Sequence, residues 1–112
     1  MLIVAYSETL ADRVRIVLGE TAGVGERKMF GGLAFMINGH MCCGIVGDEL
    51  MVRVGVAAYG ASLEQPHARE MDFTGQPLRG MVYVGRKGIS SDDQLHSWIQ
   101  RGIDFVSSLP PK

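Results

Sequence analysis

Lys28-Met-Phe-Gly-Gly-Leu-Ala-Phe-Met-Ile-Asn-Gly-His40 is the stretch whose reading decides the fold. It reads as a β-strand with a glycine pair near its start and a tight turn at its end. Asn38-Gly39 is the strongest short-range hairpin signal, because a type I′ turn needs φ > 0 at both central residues and Asn and Gly tolerate that best. Met41 to Val46 is then the returning strand. With Asn38-Gly39 as the loop, Ile37 faces His40, Met36 faces Met41, Phe35 faces Cys42 and Ala34 faces Cys43. Paired residues share a sheet face. Gly31-Gly32 inside a strand marks a bulge or a close backbone approach.

Working outward, Gly47-Asp48-Glu49 makes a second turn, and Leu50-Met-Val-Arg-Val54 alternates as a third strand. One face of this meander then holds Ala34, Met36, Met41, Cys43, Ile45, Leu50, Val52 and Val54. Every member is apolar, so this is the expected core face. The opposite face carries Leu33, Phe35, Ile37, His40, Cys42, Met51 and Arg53. Three large apolar side chains of one strand are rarely left in water. Leu33, Phe35 and Ile37 therefore call for a cover, either a helix of the same chain or another chain; if both long helices are used up on the eight-residue core face, the simplest cover is a second copy in a two-fold dimer, with Arg53 and His40 at the rim.

Helices flank the meander. Before it, Ser7 is a candidate N-cap with Glu8 in the first turn. Leu10, Val14, Val17 and Leu18 then form one helical stripe, which predicts a helix over Ser7–Glu20. After it, Val56 to Leu63 reads as a two-turn helix stopped by Pro66. Met71-Asp-Phe-Thr74 is a short extended piece, Thr74-Gly-Gln-Pro77 a turn, and Leu78 to Gly85 another strand. Arg86-Lys-Gly88 is a loop. Ser91-Asp-Asp-Gln94 has capping-box spacing and opens a last helix over Ser91–Leu109. Its buried face is Leu95, Trp98, Ile99, Gly102 and Val106, and Pro110-Pro111 stop it. The expected fold is α+β: an antiparallel β-meander sheet of four to six strands with N- and C-terminal helices packed against it.

The 112 residues are read as one domain, 1–112. A chain of this size buries roughly 65% of its unfolded surface, enough for a core without staples. Hydrophobic residues make up 46% and charged residues 21%, an ordinary globular balance, with no linker, repeat or low-complexity run. A net charge of −1 lacks the basic excess of a general nucleic-acid binder, so no direct nucleic-acid binding is expected. No stretch approaches the ~18 apolar residues of a membrane span. Met1-Leu-Ile-Val-Ala-Tyr6 has neither a basic n-region nor a long apolar h-region. The two cysteines, Cys42-Cys43, are adjacent and on a strand would point to opposite faces, so they are read as free thiols. Free thiols suit a reducing compartment, and the cytoplasm is expected.

No constellation declares a reaction. His40, His67 and His96 are scattered, without the spacing of a metal site. The Cys-Cys pair lacks CxxC geometry. Gly31-Gly32 is followed by a hairpin and not by the helix of a dinucleotide fingerprint. Asp92-Asp93 at an N-cap are dipole partners before they are catalytic carboxylates. Arg27-Lys28 and Arg86-Lys87, with Arg53, are charged loop ends before they are a phosphate patch. Trp98 is read as a core anchor. No cofactor or metal is expected, and the chain is not expected to be an enzyme.

Lys28-Met-Phe-Gly-Gly-Leu-Ala-Phe-Met-Ile-Asn-Gly39 resembles the signature of the N-terminal domain of TfoX/Sxy-type proteins. Leu50-Met-Val-Arg-Val54, the Tyr59 helix, Met71-Asp-Phe-Thr-Gly75, Gly80-Met-Val-Tyr-Val84 and the Trp98 helix extend the likeness over nearly the whole chain. The resemblance implies an α+β domain, a meander flanked by helices, in a family named for bacterial regulators of natural competence. It hands over no catalytic residue. The functional expectation is a non-catalytic regulatory or protein-interaction domain, here standing alone, with a protein partner or a second copy. Its candidate surface is Arg27, Lys28, Phe30, Gly31, Gly32, Leu33, Phe35, Ile37 and Arg53. The alternative expectation is a small-ligand binder or small enzyme using Phe30-Gly31-Gly32 and Arg53.

Overall fold

The fold comes from a computed structural model that describes residues 6–29, 31–72 and 77–110. Along the chain run α1 (Glu8–Leu18), β1 (Val24–Met29), β2 (Gly32–Ile37), β3 (His40–Val46) and β4 (Glu49–Arg53). They are followed by α2 (Val56–Leu63), β5 (Ala68–Asp72), β6 (Pro77–Val84), a 3-10 turn (Arg86–Ile89) and α3 (Asp92–Ser107). The strands form one six-stranded antiparallel sheet in the order β1-β2-β3-β4-β6-β5. This is the α+β arrangement expected from the sequence.

Capping starts both long helices where the sequence places them. The Ser7 hydroxyl accepts from the Leu10 N–H at 3.1 Å at the head of α1. At the head of α3, Ser91 Oγ accepts from the Gln94 N–H at 3.1 Å, and Gln94 Oε1 accepts from the Ser91 N–H at 3.0 Å. Each such cap satisfies helix-end donors and contributes about 1 kcal/mol. The apolar stripes of both helices are buried: Leu10, Val14 and Leu18 on α1, and Leu95, Trp98, Ile99 and Val106 on α3. Gly102 lets α3 approach β3 closely, since a Cβ there would stand 2.7 Å from the Cys42 carbonyl oxygen.

The opening stretch folds differently from its reading as one strand. It is two antiparallel strands, β1 and β2, with Met29 opposite Gly32 and Gly31 in the turn between them. Phe30 itself lies outside the described residues. Gly31 adopts φ +72, and it supplies the turn, not a bulge. Gly32 does mark a close approach: a Cβ there would overlap the Ile45 carbonyl oxygen. The Asn38-Gly39 turn forms with φ +52 and +86, and Ile37 faces His40 and Met36 faces Met41 as the register predicts.

Beyond that point the predicted register fails by one residue. Phe35 pairs with Cys43 and Ala34 with Gly44, because a β-bulge leaves Cys42 as the extra residue of β3. A one-residue slip exchanges the two faces of a strand. The core face therefore carries Leu33, Phe35 and Ile37, together with Cys43, Ile45, Leu50, Val52 and Val54. Ala34, Met36 and Met41 lie on the opposite face, which corrects the expected face assignment. Burial explains the choice. Phe35 is 0% exposed, Leu33 3% and Ile37 5%, and burying a side chain of this size contributes roughly 1.5–3 kcal/mol. The unbulged register would put Ala34 and Met36 under the helices instead. Both cysteines are free thiols, as expected, but the bulge corrects their placement on opposite faces: both are buried in the core cluster. His40 is not a rim residue either. It is 8% exposed, and its Nε2–H donates to the Pro110 carbonyl oxygen at 2.6 Å.

All three described α-helices sit on one side of the sheet. The core cluster unites α1, α3 and the strand residues just named with Val82 and Val84, and Ala58, Tyr59 and Leu63 of α2 pack against it. Ala34, Met51 and Met71 are also buried but stand outside that cluster, on the other face.

Candidate functional site

Strand alternation builds the second face of the sheet residue by residue. Pairing places Met29 beside Gly32, Met36 beside Met41, Met51 beside Gly44 and Tyr83, and Met81 beside Arg53. Met71 follows Arg69 by two residues on β5. Six of the chain's seven methionines thus belong to this face, and the seventh, Met1, lies outside the described residues. Among the described residues no helix packs on it. Met51 lies across Gly44, its methyl 2.6 Å from where a Cβ at that glycine would stand, and is 0% exposed. Met29, Met36, Met41 and Met81 are half-buried.

One end of this face is polar. Arg69 bonds Glu49 through both guanidinium ends, at 2.7 and 2.5 Å, and its guanidinium carbon stands 4.8 Å above the Tyr83 ring centre. The Arg69 guanidinium holds the Glu49 carboxyl below the usual carboxylate range. On the helical side, Arg15 of α1 makes the matching clamp on Glu26 of β1 at 2.7 and 2.8 Å. It likewise lowers the Glu26 carboxyl.

A cavity of about 800 Å³ opens where the head of α1 meets the β3–β4 turn and the 3-10 turn. Arg13, Asp48, Glu49, His67, Arg86 and Lys87 line it above a floor that includes Leu10 and Ile89. Most of its charges are paired: Arg13 with Asp92 at 3.4 Å, Arg86 with Asp48 at 3.4 Å, and Glu49 with Arg69. His67 adopts φ +67, an uncommon conformation for a residue with a side chain. Among the described residues no group of three or more His, Cys, Asp or Glu is placed to hold a metal ion.

A family model for the TfoX N-terminal domain matches residues 17–106. The chain belongs to the TfoX N-terminal domain family. No curated protein and no solved structure matches it.

Within this TfoX-type domain the candidate surface residues scatter. Arg27 and Lys28 are exposed on the edge strand β1, on opposite faces of the sheet. Gly31 and Gly32 sit at the β1–β2 turn. Leu33, Phe35 and Ile37 are core and present no surface. Arg53 stands at the far end of β4, with its guanidinium carbon 5.2 Å from the Phe105 ring centre. The fold does not bring Arg53 to Gly31-Gly32, and Arg86-Lys87 lie at the cavity, remote from both Arg27 and Arg53. Sequence reasoning missed the methionine face and the Glu49–Arg69–Tyr83 group. Their signal, methionines and Arg69 at alternate strand positions, becomes readable only once the bulge at Cys42 fixes which face each belongs to.

Proposed function

We propose that this chain is a non-catalytic, regulatory protein-interaction domain working in the cytoplasm. One observation carries the reading: a whole face of the sheet bears half-buried methionines with no described helix upon it. Methionine surfaces are adaptable and recur where one protein receives another. The scatter of histidines, the paired charges of the cavity and the burial of both thiols support the non-catalytic part. Buried free thiols support a reducing compartment, and no described helix is long and apolar enough to cross a membrane. Affinity capture from native lysate with quantitative mass spectrometry tests the reading, comparing wild type with Met36→Glu/Met81→Glu. The expected result is a protein retained by wild type in stoichiometric amount and lost by the variant. Retention of nothing above a control column, or equal retention by both, refutes it.

The cavity favours a second reading, a small-ligand site. Its volume falls within the range of ligand pockets, and the strained His67 backbone lies at its wall. Thermal-shift screening of wild type and Lys87→Ala against a metabolite library tests this. A stabilising compound whose effect disappears in Lys87→Ala favours a ligand binder over an interaction domain.

A further inference from the structure

The Asn38-Gly39 turn fixes the hairpin register, and it also sets a nucleophile beside an electrophile. Asn38 is the chain's single asparagine. Its side-chain carbon Cγ and the Gly39 nitrogen can close a five-membered ring, and groups joined through so short a ring react far faster than separate molecules. Gly39 has no Cβ to shield that nitrogen. Both residues are exposed at the tip of the β2–β3 hairpin. The Ile37–His40 pair closes the turn below them, and the Gly39 N–H makes no backbone hydrogen bond among the described residues. The Asn38 N–H donates to the Gly23 carbonyl oxygen at 3.0 Å, which tethers the turn on one side. The glutamines are placed otherwise. Gln65 and Gln76 precede prolines, which have no N–H to attack with. Gln94 and Gln100 lie in α3, where the following N–H groups belong to the helix ladder.

We propose that Asn38-Gly39 is a self-modification site of the folded protein, where ring closure converts Asn38 to isoaspartate and opens the β2–β3 hairpin. The inference stands apart from the interaction-domain reading. The Gly39 nitrogen gives up its proton to solvent base and bonds to Asn38 Cγ. The Cγ–Nδ2 bond breaks, and the amide leaves as ammonia. Water then reopens the cyclic imide at one of its two carbonyls. Attack at Cγ gives aspartate, and attack at the main-chain carbonyl carbon gives isoaspartate, whose backbone runs through Cγ. One water is consumed and one ammonia released, with no oxidant or cofactor. The aspartate product keeps the length of the turn. The isoaspartate product adds a backbone carbon to a two-residue loop whose φ values of +52 and +86 are matched to the twist of its strands. The Ile37–His40 closure is then lost, and the change reaches the Met36–Met41 pair next to it. Exposed turns at strand tips open more readily than sheet centres, so the ring closes without global unfolding.

Ageing the full chain in mildly alkaline buffer for several weeks gives the test, with the same chain in concentrated urea alongside. The tryptic peptide from Met29 to Arg53 should gain the mass difference between an amide and a carboxyl. It should also accept a labelled methyl group from an isoaspartyl carboxyl methyltransferase, which distinguishes isoaspartate from aspartate. The folded chain should convert several-fold more slowly than the chain in urea, because the Gly23 tether and the Ile37–His40 pair restrain the turn. Asn38→Gly, which keeps a residue at ease with positive φ and removes the amide, should show neither the mass gain nor the label. Conversion in urea alone overturns the proposal, and so does label that arises equally in Asn38→Gly or lies in another peptide. The structural consequence is read from the aged fraction, separated by its added negative charge. It should melt several degrees below Asn38→Asp, which carries the same charge without the extra backbone carbon. Coincident melting of the two would overturn the opening of the hairpin.

Discussion

The two faces of the sheet solve the same packing problem in opposite ways. Beneath the helices, Phe35, Ile45, Leu50, Val52, Val82 and Val84 are all 0% exposed, and branched or aromatic shapes fill fixed spaces. On the other side, flexible methionines lie over glycine and alanine. Met51 lies across Gly44, and Ala34 is 0% exposed beside it. A stiff side chain suits a neighbour that never moves, while an unbranched thioether re-packs at small cost. The difference teaches that burial alone does not mark the core: Met51 and Val52 are equally buried, but only Val52 is locked between sheet and helix.

The largest expected effect breaks this contrast at Phe35 and Met36, adjacent residues on opposite faces. Phe35→Ala should destabilise by about 3–5 kcal/mol, the cost of emptying a filled aromatic site. Met36→Ala, half-exposed and able to be replaced by its neighbours, should cost about 1 kcal/mol or less. Urea denaturation of both variants measures the gap. Similar midpoints would mean that the second face is as rigidly packed as the first.

Next in size are the close approaches that hold the covered face. Gly32→Ala drives a methyl into the Ile45 carbonyl oxygen, and the backbone of β2 or β3 must move. An overpacking cost of about 1–3 kcal/mol is expected. Gly39→Val attacks the register from the turn. A β-branched residue at φ +86 should cost more than ~1 kcal/mol. Melting temperatures for the two variants, read beside a control substitution at exposed Ile16, check the order; unchanged values would refute the close contact or the turn geometry respectively.

The elements were legible because their signals are local. The helix caps at Ser7 and Ser91, the Asn38-Gly39 turn and the span Val56–Leu63 each depend on a few adjacent residues, and each appears where the sequence puts it. The face assignment was not legible, because one extra residue at Cys42 decides it and nothing in Met41-Cys-Cys-Gly44 announces a bulge. That one residue exchanged the fates of Phe35 and Met36 and hid the candidate surface. Arg53 was misplaced for a related reason: an alternating pattern assigns a side but does not show a long side chain reaching Phe105 at the end of the sheet.

The smallest expected effect concerns charge, and it separates the faces by pH. Glu49 on the methionine side and Glu26 on the helical side each answer an arginine, so each has its carboxyl lowered from the ordinary 4.5. A carboxyl lowered by folding contributes stability that is present above its unfolded pKa and lost as pH falls through its folded one. Arg69→Met removes the partner of Glu49 while leaving a side chain able to lie on Tyr83. Both groups are partly open to water, with side-chain exposures of 52% for Arg69 and 30% for Glu49, so screening keeps the pair's contribution below about 1 kcal/mol. Wild type should exceed Arg69→Met by that margin at neutral pH, and the gap should close in acid as Glu49 protonates. Arg15→Met should behave alike through Glu26, with an added loss because Arg15 also binds Asp12 at 2.8 Å. Urea midpoints across the acid range check this. A gap for Arg69→Met that persists at about pH 2, below the carboxylate range, would mean that Arg69 acts through its stacking on Tyr83, not through its charge.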